Sequence, residues 1–314
     1  MSRSSVTGKE FVIRYVFNDV SNMNENDMRI STVEEYFNVP WIFQIQRNNG
    51  NLGIYLRCRK LKGQEMWSMF TELELKLISV YSDTRDQKCK TDMCFGHDSG
   101  KFYSSYGWSE FISWNELETS FMDAGSITVE ARVIINKSIG FYTPKLMNFD
   151  EKKKEYSDIV VLVDGQRFYL LKKFLAFHST FFESLFLGGF YEAKLTEVPL
   201  YDIDVDDFQK FLEVLYGFPV INDNTVEGIL LLADMYQTPL VSELCEDFLI
   251  QTTGKTYKKK LQMAIKFNLE NLKQFCISMI KSPFDLRSMI PSDISSIDHS
   301  TLAALFTKSL TLMK

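Results

Sequence analysis

Histidine is nearly absent from this 314-residue chain, with three residues at positions 97, 178 and 299. Imidazole-based nucleophile–base pairs therefore have little to draw on, and no catalytic site is expected. Cysteine is sparse too. The five thiols, at 58, 89, 94, 245 and 276, are odd in number and scattered, which fits reduced thiols in the cytosol or nucleus better than a disulfide framework. Cys89, Cys94 and His97 form C-x4-C-x2-H, but no fourth ligand stands at a spacing that closes a tetrahedral zinc site. Neither metal nor cofactor is expected. No apolar run reaches the ~18 residues of a membrane span, and the opening MSRSSVTGKE lacks the apolar stretch of a secretion signal. Positive charge is not in excess: 35 Lys and Arg against 41 Asp and Glu leave a net charge of −6. That balance argues against a general nucleic-acid binder.

What the chain has is phenylalanine, 26 residues of it, and enough length for two or three cores. Its first half is dominated by alternation. Phe11, Ile13, Tyr15 and Phe17 alternate with Val12, Arg14 and Val16, and Trp41, Phe43 and Ile45 with Gln44 and Gln46. After the hairpin signal Asn48-Asn49-Gly50-Asn51 come Leu52, Ile54, Leu56 and Cys58, then runs at 73–77 and 127–135. Many short alternating strands with few helix signals argue an antiparallel β-sandwich.

The stretch 156–194 has a different grammar. Ile159, Val161 and Val163 form a short β-branched strand, Asp164-Gly165 a tight turn, and residues 167–171 the returning strand. Phe174, Phe177, Phe181, Phe182, Leu185 and Phe186 then predict one Phe-rich helix, within which His178 is expected to be structural. A strand at 198–200 and helices over 205–216, 226–236 (capped by Thr225) and from Pro239 follow. Helices at 257–267, 269–280 and 301–310 complete the chain, with Pro283 and Pro291 as punctuation.

The motifs S-D-I at 157–159, V-D-G-Q-x-F at 163–168, L-A-x-H-S-x-x-F at 175–182 and F-Y-E-A-K at 190–194 resemble the opening of a BTB (POZ) domain. The segment ahead of it, with W-x-F-x-I at 41–45, L-x-I-Y-L at 52–56 and Gly107-Trp108-Ser109-Glu110-Phe111-Ile112, is similar to a MATH (TRAF-C-like) domain. The order matches the MATH–BTB, or speckle-type POZ, family of cullin-3 ubiquitin-ligase adaptors. The resemblance implies a MATH sandwich at 6–137, a linker at 138–155, an α+β BTB/POZ domain at 156–250 and a short helical, BACK-like extension at 251–314.

It also implies roles. An extended substrate peptide is expected against Tyr106, Gly107 and Trp108, with Tyr103 completing an aromatic wall, or else Tyr106 and Trp108 are core residues. Ser104 and Ser105 stand where speckle-type adaptors carry a Lys-Asp pair, so the peptide motif is expected to differ. Phe190-Tyr191-Glu192 matches the hydrophobic–x–Glu element with which some BTB domains bind cullin-3. Leu146, Met147 and Phe149 are expected at a homodimer seam or packed on their own domain. Leu171 departs from the histidine usual in the family. The implied protein is a non-catalytic adaptor, cytoplasmic or nuclear. The alternative is a dimeric scaffold or transcriptional co-regulator of the same fold without a ligase.

Overall fold

The computed structural model describes residues 9–58, 67–81, 86–98, 101–139, 145–188, 195–290 and 297–312, with backbone alone at 97, 98, 101, 102 and 139. The chain divides into two compact units, Ser4–Tyr142 and Thr143–Lys314.

The first unit is an antiparallel sandwich. Its strands are β1 (Lys9–Phe17), β2 (Met28–Ile30), β3 (Glu34–Tyr36), β4 (Val39–Asn48), β5 (Asn51–Cys58), β6 (Ser68–Leu77), β7 (Gln87–Asp98), β8 (Lys101–Tyr103), β9 (Ser105–Ser113) and β10 (Ile127–Ile139), with helix α1 (Trp114–Ser120) before the last. One sheet has the order β1-β10-β6-β7-β8; the other has β2-β4-β5-β9, with β3 also pairing β4. Alternation does what the sequence implies. Phe43, Ile45, Leu52, Ile54 and Leu56 are buried on one sheet, as are Phe11, Ile13, Leu73, Leu75, Val129, Ala131 and Val133 on the other. The β4–β5 hairpin closes with Asn49 at φ 50° and Gly50 at φ 70°, the two left-handed residues of a type I′ turn.

The second unit opens with a 3-10 turn at Glu151–Tyr156, then β11 (Ile159–Val163) and β12 (Gln166–Leu170), joined by Asp164 and Gly165, both left-handed. Next come α2 (Lys172–His178), α3 (Thr180–Leu187), β13 (Glu197–Leu200), α4 (Val205–Leu215), α5 (Val226–Met235) and α6 (Pro239–Gln251). The last four helices are α7 (Tyr257–Lys266), α8 (Glu270–Ser278), α9 (Pro283–Met289) and α10 (His299–Leu312). The sheet order is β12-β11-β13, with β13 parallel to β11. One apolar core runs from Phe149 through Phe168, Phe182, Phe208 and Phe211 to Leu261, Leu272 and Leu305. The terminal helices are thus part of this unit.

Four local expectations are corrected. The single Phe-rich helix is two helices, because Ser179 is extended (φ −145°, ψ 120°) and its hydroxyl accepts from the Phe182 N–H, capping α3. The second strand of the hairpin ends at Leu170, and Leu171 instead stands exposed at the start of α2, where the Lys172 N–H donates to Asp158 at 2.7 Å. Thr225 borders α5 without capping it through its side chain; its hydroxyl donates to the Val220 carbonyl at 2.7 Å. Pro283 does not interrupt but begins a helix: it sits in the first turn of α9, capped by Ser282.

Candidate functional site

Strand β9 carries the residues expected to grip a peptide, and among the described residues it is the end strand of its sheet. Its register with β5 sets the side each residue occupies: Tyr106 pairs Leu56, Gly107 pairs Tyr55 and Trp108 pairs Ile54. Leu56 and Ile54 are fully buried, so Tyr106 and Trp108 lie on the core-facing side of the sheet, half-buried at its open edge. Tyr106 is anchored there. Its hydroxyl donates to the Cys94 carbonyl at 2.8 Å, its ring meets the buried Phe95 edge-on at 5.1 Å, and Tyr103 stacks on it at 5.7 Å. Trp108 meets the buried Phe111 edge-on at 6.2 Å. These aromatics are therefore partly core and partly exposed, forming a rim along the edge.

Gly107 faces the other way, and its lack of a side chain is required. A Cβ there would fall against the Ile54 carbonyl, 2.6 Å from the Tyr55 Cα and 2.8 Å from its ring Cδ1. A Cβ at Gly53 would likewise lie 3.1 Å from the Tyr55 ring. Tyr55 thus covers two glycines on the outer face of the sheet. Beside it on β5, Arg57 is in register with Ser105 and donates to Gln44 Oε1 at 3.0 Å. Sequence reasoning missed Tyr55 and Arg57. Alternation against Leu56 puts both on the outer face, but nothing in the one-dimensional pattern marks that face as open.

Cys89 and Cys94 do not converge. They stand five residues apart on β7, an odd spacing that sends them to opposite faces. Among the described residues no three His, Cys, Asp or Glu side chains stand together in a way that could hold a metal ion. All five cysteines are free, and burial pushes the thiols of Cys58 and Cys276 up to about 12, far from a reactive thiolate.

In the second unit, Phe190, Tyr191 and Glu192 lie outside the described residues. On the described helix before them, Phe181 and Leu187 are exposed, as is Phe177 of α2 at 84%. Of the three residues expected at a dimer seam, Leu146 is exposed at 52%, Met147 is half-buried, and Phe149 is 3% exposed. Phe149 belongs to its own unit's core, edge-on to Tyr216 at 5.2 Å, with its carbonyl accepting from the Tyr169 N–H at 2.8 Å.

Leu146 and Met147 are fixed by a residue that the sequence did not single out. Glu213 of α4 is fully buried and accepts from the Leu146 N–H (2.6 Å), the Met147 N–H (3.0 Å), Gln209 Nε2 (2.9 Å) and Lys210 Nζ (2.6 Å). Burial alone would raise its pKa; the Lys210 ammonium and the other donors more than offset this and hold it below the usual carboxylate range.

Two domain families match this chain. A MATH domain covers residues 17–135 and a BTB/POZ domain residues 147–253, which defines a two-module protein-interaction chain. "BTB and MATH domain-containing protein 15" of Caenorhabditis elegans is 40% identical over 87% of this chain and 98% of its own length. "BTB and MATH domain-containing protein 45" of the same organism is 36% identical over 91% of this chain and 60% of its own length. A human "Kelch repeat and BTB domain-containing protein 2" is 32% identical over 41% of this chain and 21% of its own length. The chain belongs to the BTB and MATH domain-containing proteins.

Proposed function

We propose that this chain is a substrate-recruiting adaptor of a cullin-3 ubiquitin ligase. The MATH unit holds an extended peptide of the substrate along the β9 edge, the BTB unit forms a homodimer, and Phe190-Tyr191-Glu192 docks the cullin. The observation that carries the reading is the pairing of a BTB unit with a sandwich whose end strand β9 bears the half-buried aromatics Tyr106 and Trp108, with Tyr103 of β8 stacked on Tyr106. An end strand offers unpaired backbone groups to an incoming strand, and the side chains beside it select the sequence. The adaptor does no chemistry. It raises the local concentration of substrate lysines near a ubiquitin-charged enzyme, and a dimer adds avidity for repeated motifs.

In the BTB unit the reading assigns the seam to Leu146, held outward by Glu213 with Met147 beside it, rather than to the buried Phe149. Among the described residues no helix is long and apolar enough to cross a membrane, and the free thiols suit a reducing cytoplasm or nucleus. The test is affinity purification of the full chain carrying Phe190→Ala and Glu192→Ala together. Loss of co-purified cullin-3 with the dimer intact in sedimentation is expected. Unchanged cullin binding would contradict the ligase role.

A further inference from the structure

The side chains that β9 turns outward at its first half are minimal: Ser105, then Gly107. Behind them stand two large residues of β5, Tyr55 over the glycines and Arg57 opposite Ser105. The neighbours of Arg57 on this face are neutral. Ser105 of β9 and the buried Ile42 of β4 flank it in register, and Gln44 stands diagonally across from it. Among the described residues Gln44 is its one hydrogen-bond partner and it enters no ion pair. The exposed carboxylate of Glu110 sits toward the far end of β9. The outer side of this edge is therefore a shallow floor of Ser and Gly, walled by an aromatic ring and, at the Ser105 end, by a half-buried cation with no counter-charge among the described residues.

We infer that the peptide held along β9 carries an anionic side chain, carboxylate or phosphate, which crosses over Ser105 to pair with Arg57. This rests on the reading of β9 as the peptide-binding edge. A strand added to β9 lies two strand spacings, about 10 Å, from β5, a gap that an arginine and an opposing acidic side chain close together. Only small residues between them leave that path open; a long side chain at 105 or any side chain at 107 would obstruct it. The planar guanidinium offers a fork of donors that one Gln44 oxygen does not saturate, and carboxylate and phosphate both match it.

The test is selection of binders to the full-length chain from a displayed library of random extended peptides. A selected peptide is then synthesised with glutamate, phosphoserine or glutamine at the acidic position, and its affinity is measured by fluorescence anisotropy. An acidic residue at one fixed position is expected. Arg57→Gln should weaken the glutamate peptide about tenfold to a hundredfold and leave the glutamine version unchanged, while Arg57→Lys restores part of the loss. Tryptophan-monitored melting of Arg57→Gln should match the wild type, separating recognition from folding. The tighter of the glutamate and phosphoserine arms identifies the source of the anion. Selected peptides that depend on Tyr106 and Trp108 but bind equally with glutamate or glutamine would overturn the Arg57 inference and leave the edge reading standing. A library that yields no binder would overturn both.

Discussion

In the sandwich unit, charged pairs such as Arg14 with Glu130 at 2.6 Å and Lys90 with Glu72 at 3.0 Å run sideways between neighbouring strands near solvent. Asp86 is an exception, its buried side chain pairing Lys76 at 2.8 Å and accepting the Ser79 N–H at 2.8 Å. In the helical unit, carboxylates go inside. Glu213 gathers four donors, Glu227 pairs Lys259 at 2.8 Å with both side chains buried, and Glu246 accepts the Leu272 N–H at 2.8 Å. The difference follows from architecture. A sandwich satisfies its backbone by strand pairing and has one apolar side per strand to bury. A helical unit must fix where helices and flanking segments dock, and buried carboxylates accepting stray N–H groups do that. Each of these three secures something beside the central BTB fold: Glu213 the segment before it, Glu227 the helix α7 after it, Glu246 the start of α8.

The comparison can be broken unit by unit, since all four tryptophans, at 41, 67, 108 and 114, lie in the first unit. Tryptophan fluorescence therefore follows the sandwich, and circular dichroism at helical wavelengths follows the second unit. Glu213→Ala should have the largest effect, about 3–5 kcal/mol in urea unfolding of the helical signal, because it takes the carboxylate from a buried ammonium and from the partly buried N–H groups of Leu146 and Met147. Glu130→Ala, which removes a partner of Arg14 near the surface, should cost the fluorescence transition about 1 kcal/mol or less.

Gly107→Ala comes next. It forces a methyl group into the β5 backbone and the Tyr55 ring, and should lower the stability of the sandwich by about 1–3 kcal/mol while leaving the helical transition unmoved.

Acid gives a third contrast. The folded-state pKa values of Glu213 and Glu227 are depressed, so their contribution is complete above the unfolded value of about 4.3 and is lost as pH falls below it. Melting of the helical signal should begin to fall below about pH 5 and go on falling as pH drops further, and less steeply in Glu213→Gln than in the wild type. Equal slopes in the two proteins would remove Glu213 from the account. A similarly small effect is expected of Tyr106→Phe, which deletes one hydrogen bond to the Cys94 carbonyl and should cost the sandwich about 1 kcal/mol.

The same contrast governs what the sequence made legible. Strands such as β1, β4, β5 and β10 could be read from alternation because one face of each is apolar, and the β4–β5 and β11–β12 turns from Asn-Gly and Asp-Gly. The break at Ser179 was hidden by phenylalanines that keep helical spacing across it, although serine is a favoured N-cap residue. Helix α9 was hidden because Pro283 reads equally as a stop or a first-turn residue. Glu213 was illegible because a carboxylate in a helix usually faces solvent; only tertiary packing brings Leu146 and Met147 to it. At the candidate site, Tyr106, Gly107 and Trp108 were found through the family pattern, but that pattern does not say which side of the sheet each takes. Register did, and it brought Tyr55 and Arg57 into view.

The central claim is a division of labour between the two units. It is tested most directly by quantitative affinity purification of the full chain in three forms: wild type, Tyr106→Ala with Trp108→Ala, and Phe190→Ala with Glu192→Ala. The account predicts that the first pair of substitutions removes a set of partners while cullin-3 stays, and that the second removes cullin-3 while those partners stay. Loss of the same proteins from both variants, or of none from either, would contradict it.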